Sequence, residues 1–99
     1  MGKRDLLETT AIETALKDLP GWSYQAGKLH REYRFADFAR AFGFMAAAAV
    51  TSEAMNHHPD WSNVWNKVII DLSTHDAGGV TEMDIELAKK FEALAGKLL

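Results

Sequence analysis

Cysteine is missing altogether from this 99-residue chain. Its absence excludes a disulfide scaffold, a thiol nucleophile and thiolate ligands to a metal. Proline occurs only twice, so no proline-rich linker divides the sequence. An excess of either charge is also missing. Eleven Lys and Arg stand against fourteen Asp and Glu, a formal net charge of −3, which provides no basic surface for nucleic acid or anionic lipid. Long apolar runs are absent as well. The longest, AFGFMAAAAV at residues 41–50, is too short and too rich in alanine to span a bilayer. The opening MGKRDLLETT lacks the apolar stretch of a signal peptide. These absences lead us to expect a cytoplasmic protein with no membrane partner and no direct nucleic-acid partner. What remains is ordinary globular composition, 47% apolar and 25% charged, enough for one domain over residues 1–99.

The chain reads as helices alternating with hairpins. A first helix is predicted from about Thr10 to Leu19, with Thr10 and Glu13 as a capping box and Pro20-Gly21 as its stop. Two strands follow, around Trp22–Ala26 and Lys28–Phe35, turning at Ala26-Gly27. In the second, Leu29, Tyr33 and Phe35 share one face, while Lys28, His30, Glu32 and Arg34 share the other. That pattern leaves His30 solvated. A long helix spans Asp37 to Met55, with Phe38, Phe42, Met45, Ala49 and Ser52 on the face expected in the core. Trp61–Trp65 and Val68–Thr74 form a second hairpin around Asn66-Lys67, with Trp61 and Trp65 on one face as core or interface residues. The last helix begins near Thr81. The order α-ββ-α-ββ-α implies an α+β two-layer sandwich: a four-stranded antiparallel sheet with three helices on one face.

The chemistry concentrates in EAMNHHPDW, Glu53 to Trp61, where two adjacent histidines precede a proline. With the turn at Asn66-Lys67, Trp65 opposes Val68 and Trp61 opposes Leu72. The same register carries His58 opposite His75, where Cβ atoms lie about 4.5–5.5 Å apart. Imidazole titrates near neutrality, so two imidazoles beside one substrate can divide acid and base work. Glu53, one helical turn before His57, could hold an imidazole in one tautomer, and Asp76 and Asp84 are further carboxylates able to do so.

The spacing Glu53, three residues, His57-His58-Pro59, five residues, Trp65, nine residues, His75, eight residues, Asp84 resembles the signature of the pterin-4a-carbinolamine dehydratases. RAFGFM (Arg40–Met45), WNKV (Trp65–Val68) and LSTH (Leu72–His75) are similar to that family too. The resemblance implies dehydration of 4a-hydroxytetrahydropterin to quinonoid dihydropterin, without metal or cofactor, the pterin being substrate. It implies His57, His58 and His75 around the pterin, with Asn56–His58 and the stretch Ser73, Thr74, His75 and Asp76 in contact with it. It places Trp22 near the pocket mouth and Glu53 and Asp84 in support. It also implies a homodimer or homotetramer, and the mammalian member stabilises a transcription-factor dimer. We expect His57 and His75 to lead the acid–base work and His58 to orient the pterin, although the register pairs His58 with His75.

Other readings of the same residues stand beside this one. Three histidines and a carboxylate could bind zinc or iron, though adjacent histidines in an extended segment point apart. Thr81 and Asp84 resemble a capping box, which would make Asp84 a structural residue. Glu53 could be an exposed residue late in a helix, where an acid opposes the dipole. The fold could also serve as a dimerisation module without catalysis.

Overall fold

A computed structural model describes residues 2–99. Its elements are α1 (Thr9–Leu16), β1 (Ser23–Gln25), β2 (Lys28–Arg34), α2 (Phe38–Met55), β3 (Asp60–Val64), β4 (Lys67–Leu72) and α3 (Glu82–Gly96), with a 3-10 turn at His75–Ala77 before α3. The strands form one antiparallel sheet in the order β1-β2-β4-β3. This is the α+β sandwich anticipated from the element order.

Alternation in KVIIDL builds the centre of the sheet. Val68, Ile70 and Leu72 point into the core and are buried, while Lys67, Ile69 and Asp71 point away. Leu29 and Tyr33 continue the buried face on β2, and the helices cover it with Ile12, Ala41, Phe44, Ala48, Leu87 and Phe91. Phe44 is the hub, with its ring 5.2 Å from Tyr33, 5.3 Å from Phe35 and 5.8 Å from Phe91. Each such ring contributes about 1.5–3 kcal/mol by burial. Tyr33 donates its hydroxyl to Glu92 on α3, which also accepts from Trp22 Nε1 at 2.9 Å and Arg31 Nε at 3.3 Å. Burial first, and then the bond to and charge of Glu92, push the Tyr33 phenol well above its ordinary value.

Several local expectations need correction. Thr10 does not cap α1. The helix starts at Thr9 after Glu8, which makes no side-chain cap bond, and regular helix stops at Leu16. Tighter i→i+3 bonds then carry the chain to Leu19. The buried stripe of α2 is Ala41, Phe44, Ala48 and Ser52, whereas Phe38 and Phe42 are half or more exposed, 50% and 57%, and Ala49 is exposed. This helix is apolar nearly all round, so its sequence periodicity fits either of two stripes one residue apart. His30 is half-buried on the outer sheet face, its Nδ1 2.8 Å from Asp71 Oδ1 on the neighbouring strand. A cross-strand carboxylate directly opposite has captured it.

The second hairpin turns one residue early. Val64 pairs with Lys67 and Trp61 with Ile70. The turn is Trp65-Asn66, with Trp65 exposed and at φ 51° instead of on the strand face beside Trp61. Asn63 Nδ2 secures it by donating to the carbonyls of Trp65 (3.0 Å) and Lys67 (2.8 Å). Asn66 is occupied elsewhere, its Nδ2 donating to Phe35 O at 2.8 Å while its carbonyl accepts from Phe35 N. Carried past Asp60, the observed register sets His58 against Ser73 and not His75.

Candidate functional site

Two loops at one end of the sheet carry the histidines. The first leaves α2. Asn56 takes a left-handed conformation (φ 51°, ψ 42°) as the C-cap, its N–H bonded to Glu53 O. Asparagine tolerates that conformation better than most residues. The reversal returns His57 N to Ser52 O at 3.1 Å. His57 is thereby turned inward, 6% exposed, and His58 outward. The divergence expected of neighbouring extended residues is what separates their environments.

The second loop follows β4. Thr74 N donates to Gly79 O at 2.8 Å, and Thr74 O accepts from Ala77 and Gly78. The closed turn between them holds His75 at the surface, while Thr74 is buried.

Asp84 joins the loops. It is fully buried in the first turn of α3 and accepts from Thr81 N through Oδ2 at 2.9 Å, while Thr81 Oγ1 accepts from Met83 N at 3.2 Å. This is the expected capping box. The same Oδ2 accepts from Thr74 Oγ1 at 2.9 Å, and Thr74 Oγ1 lies 2.7 Å from Thr81 Oγ1. Each hydroxyl has one proton, so the chain runs Thr81 O–H to Thr74 Oγ1 and Thr74 O–H to Asp84. Asp84 Oδ1 remains for His57 Nε2, 2.5 Å away. With Asp84 ionised, Nε2 carries the proton and Nδ1 is the basic nitrogen of His57. Capping and histidine support are thus two uses of one carboxylate. Glu53 Oε1 lies 2.7 Å from His58 Nε2, so it serves His58 and not His57. Both of those side chains are exposed.

His57, His58 and His75 line one cleft of about 440 Å³ together with Asn56, Ser73, Thr74 and Asp76. Glu53 and Asp84 stand behind it as supports of His58 and His57. Trp22 is not at its mouth; that indole is buried in the core, edge-on to Tyr33 at 6.3 Å. Among the described residues, no three His, Cys, Asp or Glu side chains are gathered as a metal site would require. Arg4, Pro59 and Asp60 also line the cleft, and of these only Pro59 was named from the sequence, in the His57-His58-Pro59 spacing. Pro59 was legible as a neighbour of the histidines. Arg4 was not, because it meets Asn56 across 52 residues. Thr81 was read only as a cap, and its hydroxyl link to Thr74 has no local signature.

A second concavity of about 390 Å³ lies between α1 and α3, lined by Leu7, Ala11, Ala15 and Ile85 with charged residues at its rim. It holds none of the histidines.

The family model described as "Pterin 4 alpha carbinolamine dehydratase" matches residues 5–94. A protein of Solibacter usitatus, named provisionally as a pterin-4-alpha-carbinolamine dehydratase, is 57% identical over 89 residues, 90% of this chain and 94% of its own. One of Rhizobium etli, named in the same way, is 46% identical over 98% of both chains. A solved structure described as a transcriptional coactivator/pterin dehydratase from Brucella melitensis superposes with a TM-score of 0.89 at 44% identity, covering 93% of this chain and 100% of that one. Another, a pterin dehydratase-like protein described as a RuBisCO assembly factor in the alpha-carboxysome, gives 0.67 at 28% identity, covering 77% and 90%.

Proposed function

The chain belongs to the pterin 4 alpha carbinolamine dehydratase family, and we propose that it catalyses that dehydration, converting a 4a-hydroxytetrahydropterin to the quinonoid dihydropterin and water. The observation that carries the reading is the buried His57–Asp84 pair bordering the same cleft as His58 and His75. The reaction needs a proton delivered to the departing C4a hydroxyl and a proton taken from N5, as the N5 electron pair forms the C4a=N5 bond. His57 suits the base. Its Nε2 is held by Asp84, its Nδ1 is left to accept, and the positive charge it gains meets a buried carboxylate. His75 suits the acid, being exposed and able to exchange protons with solvent. His58, tethered through Glu53, orients the pterin. The site needs neither a metal nor a further cofactor for this chemistry.

The test follows quinonoid product spectrophotometrically with purified protein, after exhaustive chelation. Turnover that survives chelation and collapses in His57→Ala supports the scheme. Absence of any turnover above the spontaneous rate sinks it. A second reading, in which the fold acts as a protein-binding module, is favoured by Phe38 and Phe42, exposed and 5.9 Å apart on α2. The described roles of the two solved relatives point the same way. Homo-oligomerisation or a transcription-factor partner would use such a surface. An inactive chain that co-migrates with such a partner on size exclusion would favour this second reading.

A further inference from the structure

Residues 2–7 form a strap across the two histidine loops. Leu7 N donates to Val80 O at 2.9 Å, and Gly2 and Asp5 close a turn through Gly2 N to Asp5 Oδ2 at 2.7 Å and Asp5 N to Gly2 O at 3.1 Å. Leu6 lies directly over Gly79, the residue that closes the His75 loop. A Cβ at Gly79 would stand 2.8 Å from Leu6 Cδ1, the tip of an exposed side chain, so the two residues are in close contact. At its other end the strap reaches the first loop, where Arg4 Nη2 donates to Asn56 O at 3.1 Å. Its course places the Arg4 side chain along the cleft with His57, His58 and His75.

Arg4 is the one lysine or arginine among the described residues lining that cleft. A guanidinium carries five N–H donors, and the bond to Asn56 leaves most of them for a ligand. Asp60 and Asp76 line the cleft too, yet among the described residues neither forms an ion pair with Arg4; Asp60 faces Lys28 at 3.9 Å. The Asn56 carbonyl therefore steadies the guanidinium without neutralising it. The three imidazoles supply the proton chemistry, and the guanidinium supplies something else: a charged donor for an oxygen acceptor.

We propose that Arg4 is a substrate-binding residue of this site, donating from the strap to an oxygen of the bound pterin. The assignment rests on the dehydratase reading above. Two oxygens fit its chemistry: the ring carbonyl next to C4a, common to all pterins, and a hydroxyl on the C6 substituent. Initial rates are measured for wild type, Arg4→Met and Arg4→Lys on two 4a-hydroxytetrahydropterins, one with a 6-methyl group and one with a hydroxylated 6-propyl chain. Arg4→Met raises KM about tenfold or more, the loss expected for a bond to a charged group, with kcat little changed. A rise on both substrates identifies the ring carbonyl, and a rise on the hydroxylated one alone identifies the side chain. Arg4→Lys recovers part of the affinity. Unchanged KM on both substrates overturns the assignment, as does a fall in kcat accompanied by a lower melting temperature, which would mark Arg4 as a brace for Asn56. Wild-type protein that turns over neither pterin overturns the dehydratase reading itself, and this assignment with it.

Discussion

Asp84 Oδ1 lies 2.5 Å from His57 Nε2 while its Oδ2 holds the N–H of Thr81 at 2.9 Å, so one buried carboxylate both starts α3 and supports an imidazole. The two uses separate by substitution. Asp84→Asn keeps an oxygen for Thr81 N but cannot hold the same His57 tautomer with the same charge. Turnover should fall about a hundredfold, and stability about 1–2 kcal/mol. Thr81→Ala should cost about 1 kcal/mol as a lost cap and keep most of the turnover. Urea denaturation and the dehydration assay together measure this. A fully active Asp84→Asn variant would remove the carboxylate from the chemistry.

His75 sits on a turn closed by backbone bonds between Thr74 and Gly79 rather than by its own side chain. His75→Ala is therefore expected to leave the urea midpoint almost unchanged, within about 0.5 kcal/mol, while turnover drops about a hundredfold. Equal rates in variant and wild type would exclude it from proton transfer.

The two phenylalanines of α2 that look alike in sequence should behave oppositely. Phe44 is wholly buried among three aromatic rings, and Phe42 is exposed. Phe44→Ala should destabilise the fold by about 3–5 kcal/mol. Phe42→Ala should change it by no more than about 0.5 kcal/mol in dilute, monomeric protein. A larger loss at Phe42 that grows with protein concentration would reveal that its face is an interface.

Tyr33 gives the fold a limit at alkaline pH. Its phenol is raised above the ordinary 10.0 by burial, with Glu92 adding to the effect. Above about pH 10 the unfolded chain releases a proton that the folded chain retains. The unfolded state then binds fewer protons, and stability declines as pH rises. Tyr33→Phe removes that group, so its urea midpoint should fall less between about pH 8 and about pH 11 than that of wild type. Parallel declines would show that other groups set the alkaline limit.

Much of this architecture was legible residue by residue. Val68, Ile70 and Leu72 announce an inward face, and Ala26-Gly27 connects Gln25 to Lys28 as expected. The His57-His58-Pro59 spacing to His75 and Asp84 marked the residues that frame the cleft. The errors share a cause. Moving the second hairpin by two residues, from Trp61 opposite Leu72 to Trp61 opposite Ile70, leaves every side chain on the same face, so alternation cannot distinguish the two registers. Rotating α2 by one residue likewise exchanges one apolar stripe for another.

Element order, sheet faces and the Thr81 cap follow from contacts within a few residues, where propensity and periodicity act directly, and the amino-acid string was enough to establish them. The partner of each carboxylate, the true hairpin register and the approach of Arg4 to Asn56 were settled only when distant segments closed on one another. Local patterns fit several such closures about equally well. Packing around Phe44 and the left-handed turn at Asn56 select one of them.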